Sequence, residues 1–563
     1  MQARIAVPAE SSRQPPIALI DLLCQARLLH TQMRWAQLEE LCLRILAQEP
    51  RHAETLFLLG ISLRAQNRPQ PAIRMFERAI HGSPRVPIYH TYLAVALHDL
   101  NRLEEAEAAY SHALALEPEQ PEALCGMGSL LCARKQTDTA IEMLEHACAL
   151  RPDYGEAWNN LAIALRSAHR LEEAIPCLER AAAISPGDPE VLTNLSHALC
   201  DTGHYRESMA AAKHALALDP NLAKAHHVLS SASYHAGDLR TALRHGHRAL
   251  KLEPEHIHAR MNLGMMRLLL GDYARGWRDF SIRDHIHPLR SVSQPRWKGE
   301  PIAGQRLLLL SEQGMGDMIQ CLRYIERVAE TGAEILVELP QRLLRLAAEL
   351  PGVAQCVETS DPLPEFDCYL PMFQLPEIFE TTVETIPNQV PYLRIPEAAR
   401  RKAEQIDWIS NGLRVGMCWT GSPKHGENAL RSIRLSALEP LLELPGVHFY
   451  SLQMGPGAEQ LEPYRDQIVD LAPYSDDMAD TAAQMEHLDL VVTIDTSVAH
   501  LAGALGRPVW VLLNALPDWR WMLDRSDSPW YPTARLFRQR QQGDWDAVIE
   551  DLQHALEQLA PMS

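Results

Sequence analysis

Along the first half of the chain, proline, small and large positions recur on one ruler. Prolines stand at Pro50, Pro84, Pro118, Pro152, Pro186, Pro220 and Pro254, 34 residues apart each time. The same step links Gly60, Ala94, Gly128, Ala162, Ser196, Ser230 and Gly264. It links Ala72, Ala106, Ala140, Ala174, Ser208 and Ala242, and also Ala79, Ala113, Ala147, Ala181, Ala215 and Ala249. Larger residues follow at Phe76, Tyr110, Leu144, Leu178 and Phe280. Such a period predicts stacked pairs of antiparallel helices. Small residues let neighbouring helices approach, and the proline closes the second helix, because it lacks an N–H and restricts the residue before it. No single pair buries its own apolar face, so stacking supplies the core.

These columns resemble the tetratricopeptide-repeat (TPR) family. They predict a 1–18 N-terminal tail and then an α-solenoid over 19–290 of about eight repeats, the first and last degenerate. The stretch GDYARGWRDF, residues 271–280, keeps the pattern loosely and is expected to dock onto the next domain. The resemblance implies a concave surface that binds protein. Asn160, Asn194 and Asn262 share one position of the first helix of their repeats, with Val228 interrupting the column. A side-chain amide offers a donor and an acceptor, as a peptide unit does. In O-GlcNAc transferases, asparagines at this position grip an extended polypeptide, so these three are the candidate peptide-binding residues. Asparagine is also common there in TPR families, and a purely structural role stands beside the binding one.

After about residue 290 the ruler stops. Residues 291–305, SVSQPRWKGEPIAGQ, are polar with Pro and Gly and read as a linker. Short apolar runs then alternate with helical stretches. Strands are expected at 306–311, 334–338, 413–419, 447–453, 488–494 and 508–513. Helices are expected at 317–331, 340–350, 397–410, 436–444, 476–486, 497–505 and 546–559. Such alternation predicts parallel sheets. The proline-rich stretch 361–396 reads as irregular. Two α/β lobes follow, 306–396 and 397–563, the second ending in a helix, with a cleft between them.

Charge narrows the partners. Asp and Glu number 72 against 53 Lys and Arg, a formal net charge of -19. That argues against nucleic-acid binding and against docking on anionic lipid. The N-terminus has no apolar segment of the signal-peptide kind, and no run is long enough to predict a membrane span. The 11 cysteines are scattered without a C-x-x-C pair, some at core-like helix positions such as Cys42 and Cys177. Reduced thiols in a cytoplasmic protein are the expectation.

Parallel sheets bind ligands beyond the carboxyl ends of their strands, and three motifs fall there. Ser311-Glu312-Gln313-Gly314-Met315-Gly316-Asp317 joins a strand to a helix. Gly314 and Gly316 permit close backbone approach, and Asp317 opens the helix as a cap, a reactive carboxylate, or both. Trp419-Thr420-Gly421-Ser422-Pro423-Lys424-His425, followed by Glu427, Arg431 and Arg434, suits a diphosphate through charge-assisted hydrogen bonds; a solvated loop is the bland alternative. Asp495-Thr496-Ser497-Val498-Ala499-His500 ends a strand in a carboxylate and opens a helix with hydroxyls. Thr496 and Ser497 can cap that helix and donate to a phosphate, while His500 could equally be a satisfied core histidine. No clustered metal-ligand spacing accompanies these motifs.

The second half resembles the bacterial heptosyltransferase-like glycosyltransferases of GT-B fold, and the whole chain is similar to bacterial TPR–glycosyltransferase fusions. EQGMGD, RSI, DTSVAHLAGALGRPVWVLL and DWRWMLDRSDSPWYPTARLFRQ carry the likeness. It implies transfer of a sugar from a nucleotide-diphosphate sugar to an acceptor, as a hexosyl-, heptosyl- or related transferase without metal or other cofactor. Asp317 matches the family's proposed general base. Asp495, Thr496, Ser497 and His500 match the segment that holds the donor's diphosphate and sugar. Arg431 or Lys424 would stabilise the leaving diphosphate. Gly314, Gly316, Thr420, Gly421 and Gln453 complete the expected donor contacts. The acceptor would be a protein or peptide presented by the TPR array. The alternative is an interaction scaffold with a non-catalytic or sugar-nucleotide-sensing domain.

Overall fold

The computed structural model describes residues 17–286, 289–312, 314–423, 426 and 428–559. The expected tail lies outside the described residues up to residue 16, and the first helix opens at Ile17. Sixteen consecutive α-helices run from Ile17 to Phe280, followed by an α/β region with two parallel sheets. The chain divides into two compact units, Met1–Ala236 and Gly237–Ser563. The expected junction at 291–305 therefore falls inside the second unit.

From Ala53 to Leu218 each repeat is a 13-residue helix and a 14-residue helix, as in Ala53–Ala65 with Pro69–Gly82. The small columns sit where helices cross. A Cβ on Gly128 would stand 2.6 Å from Leu144 Cγ, and one on Gly60 would collide with the ring of Phe76. Where serine replaces the small residue in both columns, Ser196 Oγ donates to Ser208 O at 2.8 Å and Ser208 Oγ to Ser196 O at 2.7 Å. The two hydroxyls thus enter a fully buried seam without being orphaned. The turn inside each hairpin carries one left-handed residue on the same ruler: Met33, Asn67, Asn101, Lys135, His169 and Gly203.

In the second unit, helix Ile257–Leu269 pairs with a shortened helix, Tyr273–Phe280, that runs into a 3-10 turn, Ser281–His285. Ten strands follow. The first lobe holds β1 (Arg306–Leu310), β2 (Glu334–Leu339), β3 (Val353–Glu358) and β4 (Cys368–Pro371), in the order β3-β2-β1-β4. The second holds β5 (Leu413–Cys418), β6 (Val447–Ser451), β7 (Ile468–Asp470), β8 (Leu490–Ile494), β9 (Val509–Leu513) and β10 (Ala534–Arg538), in the order β10-β9-β8-β5-β6-β7. Every pairing within the two sheets is parallel.

Several expected elements change. The stretch 361–396 contains β4, and the polar 291–305 segment is packed rather than free. Trp297 is buried, its backbone N–H donates to Tyr369 O at 2.9 Å, and Tyr369 N donates to Pro295 O at 3.1 Å. The expected helix 317–331 is broken into Met315–Cys321, a 3-10 turn Leu322–Tyr324, and Ile325–Ala329. The lobes meet through Asp480, a buried carboxylate on helix Met478–Glu486. It accepts from Arg345 of the first lobe at 3.1 Å and from Lys402 at 2.7 Å. All eleven cysteines are free thiols, and among the described residues no helix is long and apolar enough to cross a membrane.

Candidate active site

The loop after β1 and the loop after β8 come together. Gly314 stands at φ 92°, a conformation that favours glycine, and opens helix Met315–Cys321. Gly316 faces helix Ser497–Ala504: a Cβ there would lie 2.5 Å from His500 Cδ2. Close approach of the two lobes therefore requires glycine at 316.

Asp317 Oδ1 accepts from Arg520 Nη2. Its Oδ2 makes no hydrogen bond among the described residues and lies where a Cβ on Gly314 would come within 2.9 Å. The side chain keeps 25% of its surface open, although protein surrounds it on most sides. That enclosure pushes the carboxyl above its ordinary range, and Arg520 and Arg283 oppose the shift.

Asp495 ends the strand and meets the same charged neighbours, Arg520 and Asp518. Burial, with Asp518 adding like charge, pushes it to about 6 against the pull of Arg431 and Arg520. The Trp521 indole is close enough to be felt by Asp495, yet its N–H has no hydrogen-bond partner among the described residues. Thr496 caps the helix, its hydroxyl accepting from Val498 N at 3.3 Å and pairing with Thr493 Oγ1 at 3.1 Å. Ser497 is half-buried in the first turn. His500 is buried, and its Nδ1 shares a hydrogen bond with Tyr531 Oη at 2.8 Å. Desolvation and the nearby Arg520, Arg323 and Arg431 hold its pKa well below the usual histidine range, so the ring is neutral. With Nε2 3.9 Å from Asp495 Oδ1, the two make a polar contact rather than an ion pair.

The loop after β5 supplies positive charge. Arg431 lies against Gly421, where a Cβ would come within 2.9 Å of Nη2, and its buried Nε has no hydrogen-bond partner among the described residues. Lys424 lies outside the described residues, as do Gln313, His425 and Glu427. Thr420 stands beside Gly457, where a Cβ would come within 2.7 Å of its Oγ1. Gln453, one of the expected donor contacts, turns its amide onto the backbone of two loops. Its Oε1 accepts from Trp419 N at 3.1 Å and Thr420 N at 2.9 Å, and its Nε2 donates to Thr420 O at 3.0 Å and Pro456 O at 2.9 Å. Both ends of the amide are spent on backbone, so Gln453 shapes the turn.

Sequence reasoning missed Arg520, Asp518, Glu312 and Arg283 as site residues. Glu312 accepts from Phe373 N at 2.6 Å and stands 3.4 Å from Arg283 Nε. Burial pushes it up to about 7, against the attraction of Arg283. Arg283 and Arg520 come from turns far along the chain from Asp317, and no local spacing reveals such pairs. Buried arginine within the tryptophan-rich DWRW was the available signal.

Of the candidate peptide residues, Asn160 Nδ2 donates to Cys125 Sγ at 3.4 Å and Asn194 Nδ2 to Asn159 Oδ1 at 2.9 Å. Both side chains are half-buried in the first unit; Asn262 belongs to the second.

The tetratricopeptide-repeat family is matched at residues 43–121 and 125–189, and a second model of that family at 165–231. The N-terminal part thus carries tetratricopeptide repeats, a fold class built for protein interaction. Protein FlbA of Caulobacter vibrioides is 27% identical over 333 residues, covering 52% of this chain and 54% of that protein. The chain spans about half the length of this curated relative. Among solved structures, YrrB, a TPR protein described as having an unusual peptide-binding site, is 24% identical, with a TM-score of 0.28, over 33% of this chain and 95% of its own. The APC/C hetero-tetramer Cut9–Hcn1 is 20% identical, with a TM-score of 0.40, over 43% and 48%.

Proposed function

We propose that the chain is a glycosyltransferase that moves a sugar from a nucleotide-diphosphate donor to a polypeptide recruited by its helical repeats. The reading rests on one observation: Gly316 and Asp317 of the first lobe stand against His500 and Asp495 of the second, around Arg520. Carboxylates, a neutral imidazole and arginines are thereby gathered at the carboxyl ends of two parallel sheets, where such folds hold ligands. The resemblance of EQGMGD and DTSVAH to heptosyltransferase-like GT-B enzymes supports the same assignment.

In this reading Asp317 Oδ2 takes the proton of the acceptor group. The acceptor heteroatom forms a bond to the anomeric carbon as the bond from that carbon to the diphosphate oxygen breaks, and the diphosphate leaves with the electron pair. Arg431, whose Nε has no partner among the described residues, and the N-terminus of helix Ser497–Ala504 receive the departing charge. His500 and Asp495 would meet the sugar hydroxyls. An enclosed carboxylate with a raised pKa suits a base that works near neutral pH.

Intact-mass analysis of candidate partner proteins co-expressed with the chain tests this. The wild type is expected to add one sugar unit, and Asp317→Asn to lower the modified fraction at least a hundredfold, following the usual worth of a general base. Equal modification by the variant removes Asp317 from the mechanism. No modification of any partner leaves the interaction scaffold.

A further inference from the structure

Residues Trp519–Trp521 form one 3-10 turn whose three side chains go three ways. Trp519 meets the last helical hairpin, with ring centroids 5.1 Å from Trp277 and 6.0 Å from Phe280. Trp521 lies 5.6 Å from His500. Arg520, between them, crosses to the first lobe. Its Nη2 donates to Asp317, its Nε to Gln320 Oε1, and its Nη1 to Asp518 Oδ1 at 2.6 Å. The guanidinium lies over the Trp519 ring at 4.4 Å and is 5.3 Å from that of Phe373.

Resting on the transferase reading, we propose that Arg520 is the positioning residue of the site. It holds Asp317 Oδ1 so that Oδ2 is left to the acceptor, and the last helical hairpin holds Arg520 in turn through Trp519. The chemistry requires arginine. Three acceptors from two lobes are met at once by a planar fork with donors in fixed directions, which a lysine ammonium on a flexible stem does not reproduce. Loss of the buried cation would leave the carboxylates of Asp317 and Asp518 without their shared counter-charge. Two further contacts bind hairpin to site independently of Trp519. Trp277 Nε1 donates to Thr381 O at 2.9 Å, and Arg283 lies 4.2 Å over Phe373 while facing Glu312. The hairpin and the turn after it thereby pack against the elements that carry the site.

A thiol placed at 317 reports this coupling without any substrate. In the full chain carrying Asp317→Cys, alkylation by iodoacetamide is followed by peptide mass spectrometry across pH. The midpoint is expected to rise by about one pH unit or more when Arg520→Met is added, as for an ionisable group that loses a contacting cation. Arg520→Lys should restore it only in part, and Trp519→Leu should shift it in the same direction by less. A midpoint unmoved by both Arg520→Met and Arg520→Lys overturns the proposal. Where transfer is followed, Arg520→Met moves the acid limb of the pH–rate profile upward with the donor KM little changed; a KM effect alone also overturns it. A shifted thiol without transfer by the wild type instead sinks the transferase reading on which the role depends.

Discussion

The hairpins of Met1–Ala236 and the hairpin Ile257–Phe280 follow one sequence ruler, yet different side chains hold them. In the first set a small residue under a larger one repeats: Gly60 under Phe76, Gly128 under Leu144. The positions that correspond to Trp277 are Ile73, Glu107, Ile141, Ile175, Met209 and Leu243. In the last hairpin that place becomes Trp277, flanked by Tyr273 and by Phe280 of the recurrent large column. They pack against Trp519, Trp530 and Phe373, and Trp530 Nε1 donates to Tyr273 Oη at 3.0 Å. Repeats that touch only their like need shape at a few positions. A repeat that must join an α/β domain carries large rings with polar edges, which bury much apolar area and still satisfy their own N–H and O–H groups.

Removing the centre of that aromatic joint should break the comparison most visibly. Trp277 is buried, and truncating a buried tryptophan to alanine costs about 3–5 kcal/mol. Trp277→Ala should lower the stability of Gly237–Ser563 by that amount and leave the transition of the earlier repeats in place. Hydrogen exchange resolved along the chain separates the two. Equal loss of protection in both units would mean that the hairpin is one more repeat and not part of the α/β unit.

A smaller effect comes from Glu312, the carboxylate that Arg283 faces. The folded chain holds its proton to about pH 7, whereas the unfolded chain releases it near 4.5. Between those values the folded state binds the extra proton. The stability that this group contributes is therefore complete below the lower value and is lost as pH rises through 7. At 1.36 kcal/mol per unit the span is on the order of 3 kcal/mol. Glu312→Gln cannot ionise, so its stability relative to wild type should improve by up to that amount between pH 5 and pH 8. Denaturant titration at the two pH values reads it, and a difference that does not change with pH refutes the assignment.

How much of this was legible in the sequence follows from the range of the interactions. The repeats announced themselves because the same contact recurs every 34 residues. The apolar strands at 306, 334, 413, 447, 488 and 508 were legible because both faces of a parallel sheet are covered and the runs are continuous. The strands that escaped lack that mark. β3 (VAQCVE) is a sheet edge with exposed positions, β4 and β7 have four and three residues, and β10 (ARLFR) carries two arginines. In the candidate site, Asp317, Asp495 and His500 lie in local motifs at strand ends. Arg520 meets Asp317 across 203 positions, and only folding brings them together. Gln453 was expected among the donor contacts, but its amide bonds to its own loop and the turn after β5.

The smallest expected effect sharpens the other side of the comparison, where repeats serve binding. Asn160 and Asn194 each spend their amide hydrogens on the preceding repeat, 35 positions back. Neither amide oxygen accepts a hydrogen bond among the described residues, so each is left able to accept a peptide N–H. Alanine at either position removes that acceptor, worth about 1 kcal/mol, or roughly fivefold in Kd. The double variant Asn160→Ala/Asn194→Ala should weaken a polypeptide recovered by co-expression by about thirtyfold if the two act independently. Calorimetric titration of the polypeptide into wild type and variant measures it, with unfolding of both as a control. Unchanged affinity with lowered stability would show that these amides only tie one repeat to the next. Lost affinity with stability intact would show that the repeats leave the acceptor side of their polar column to the ligand.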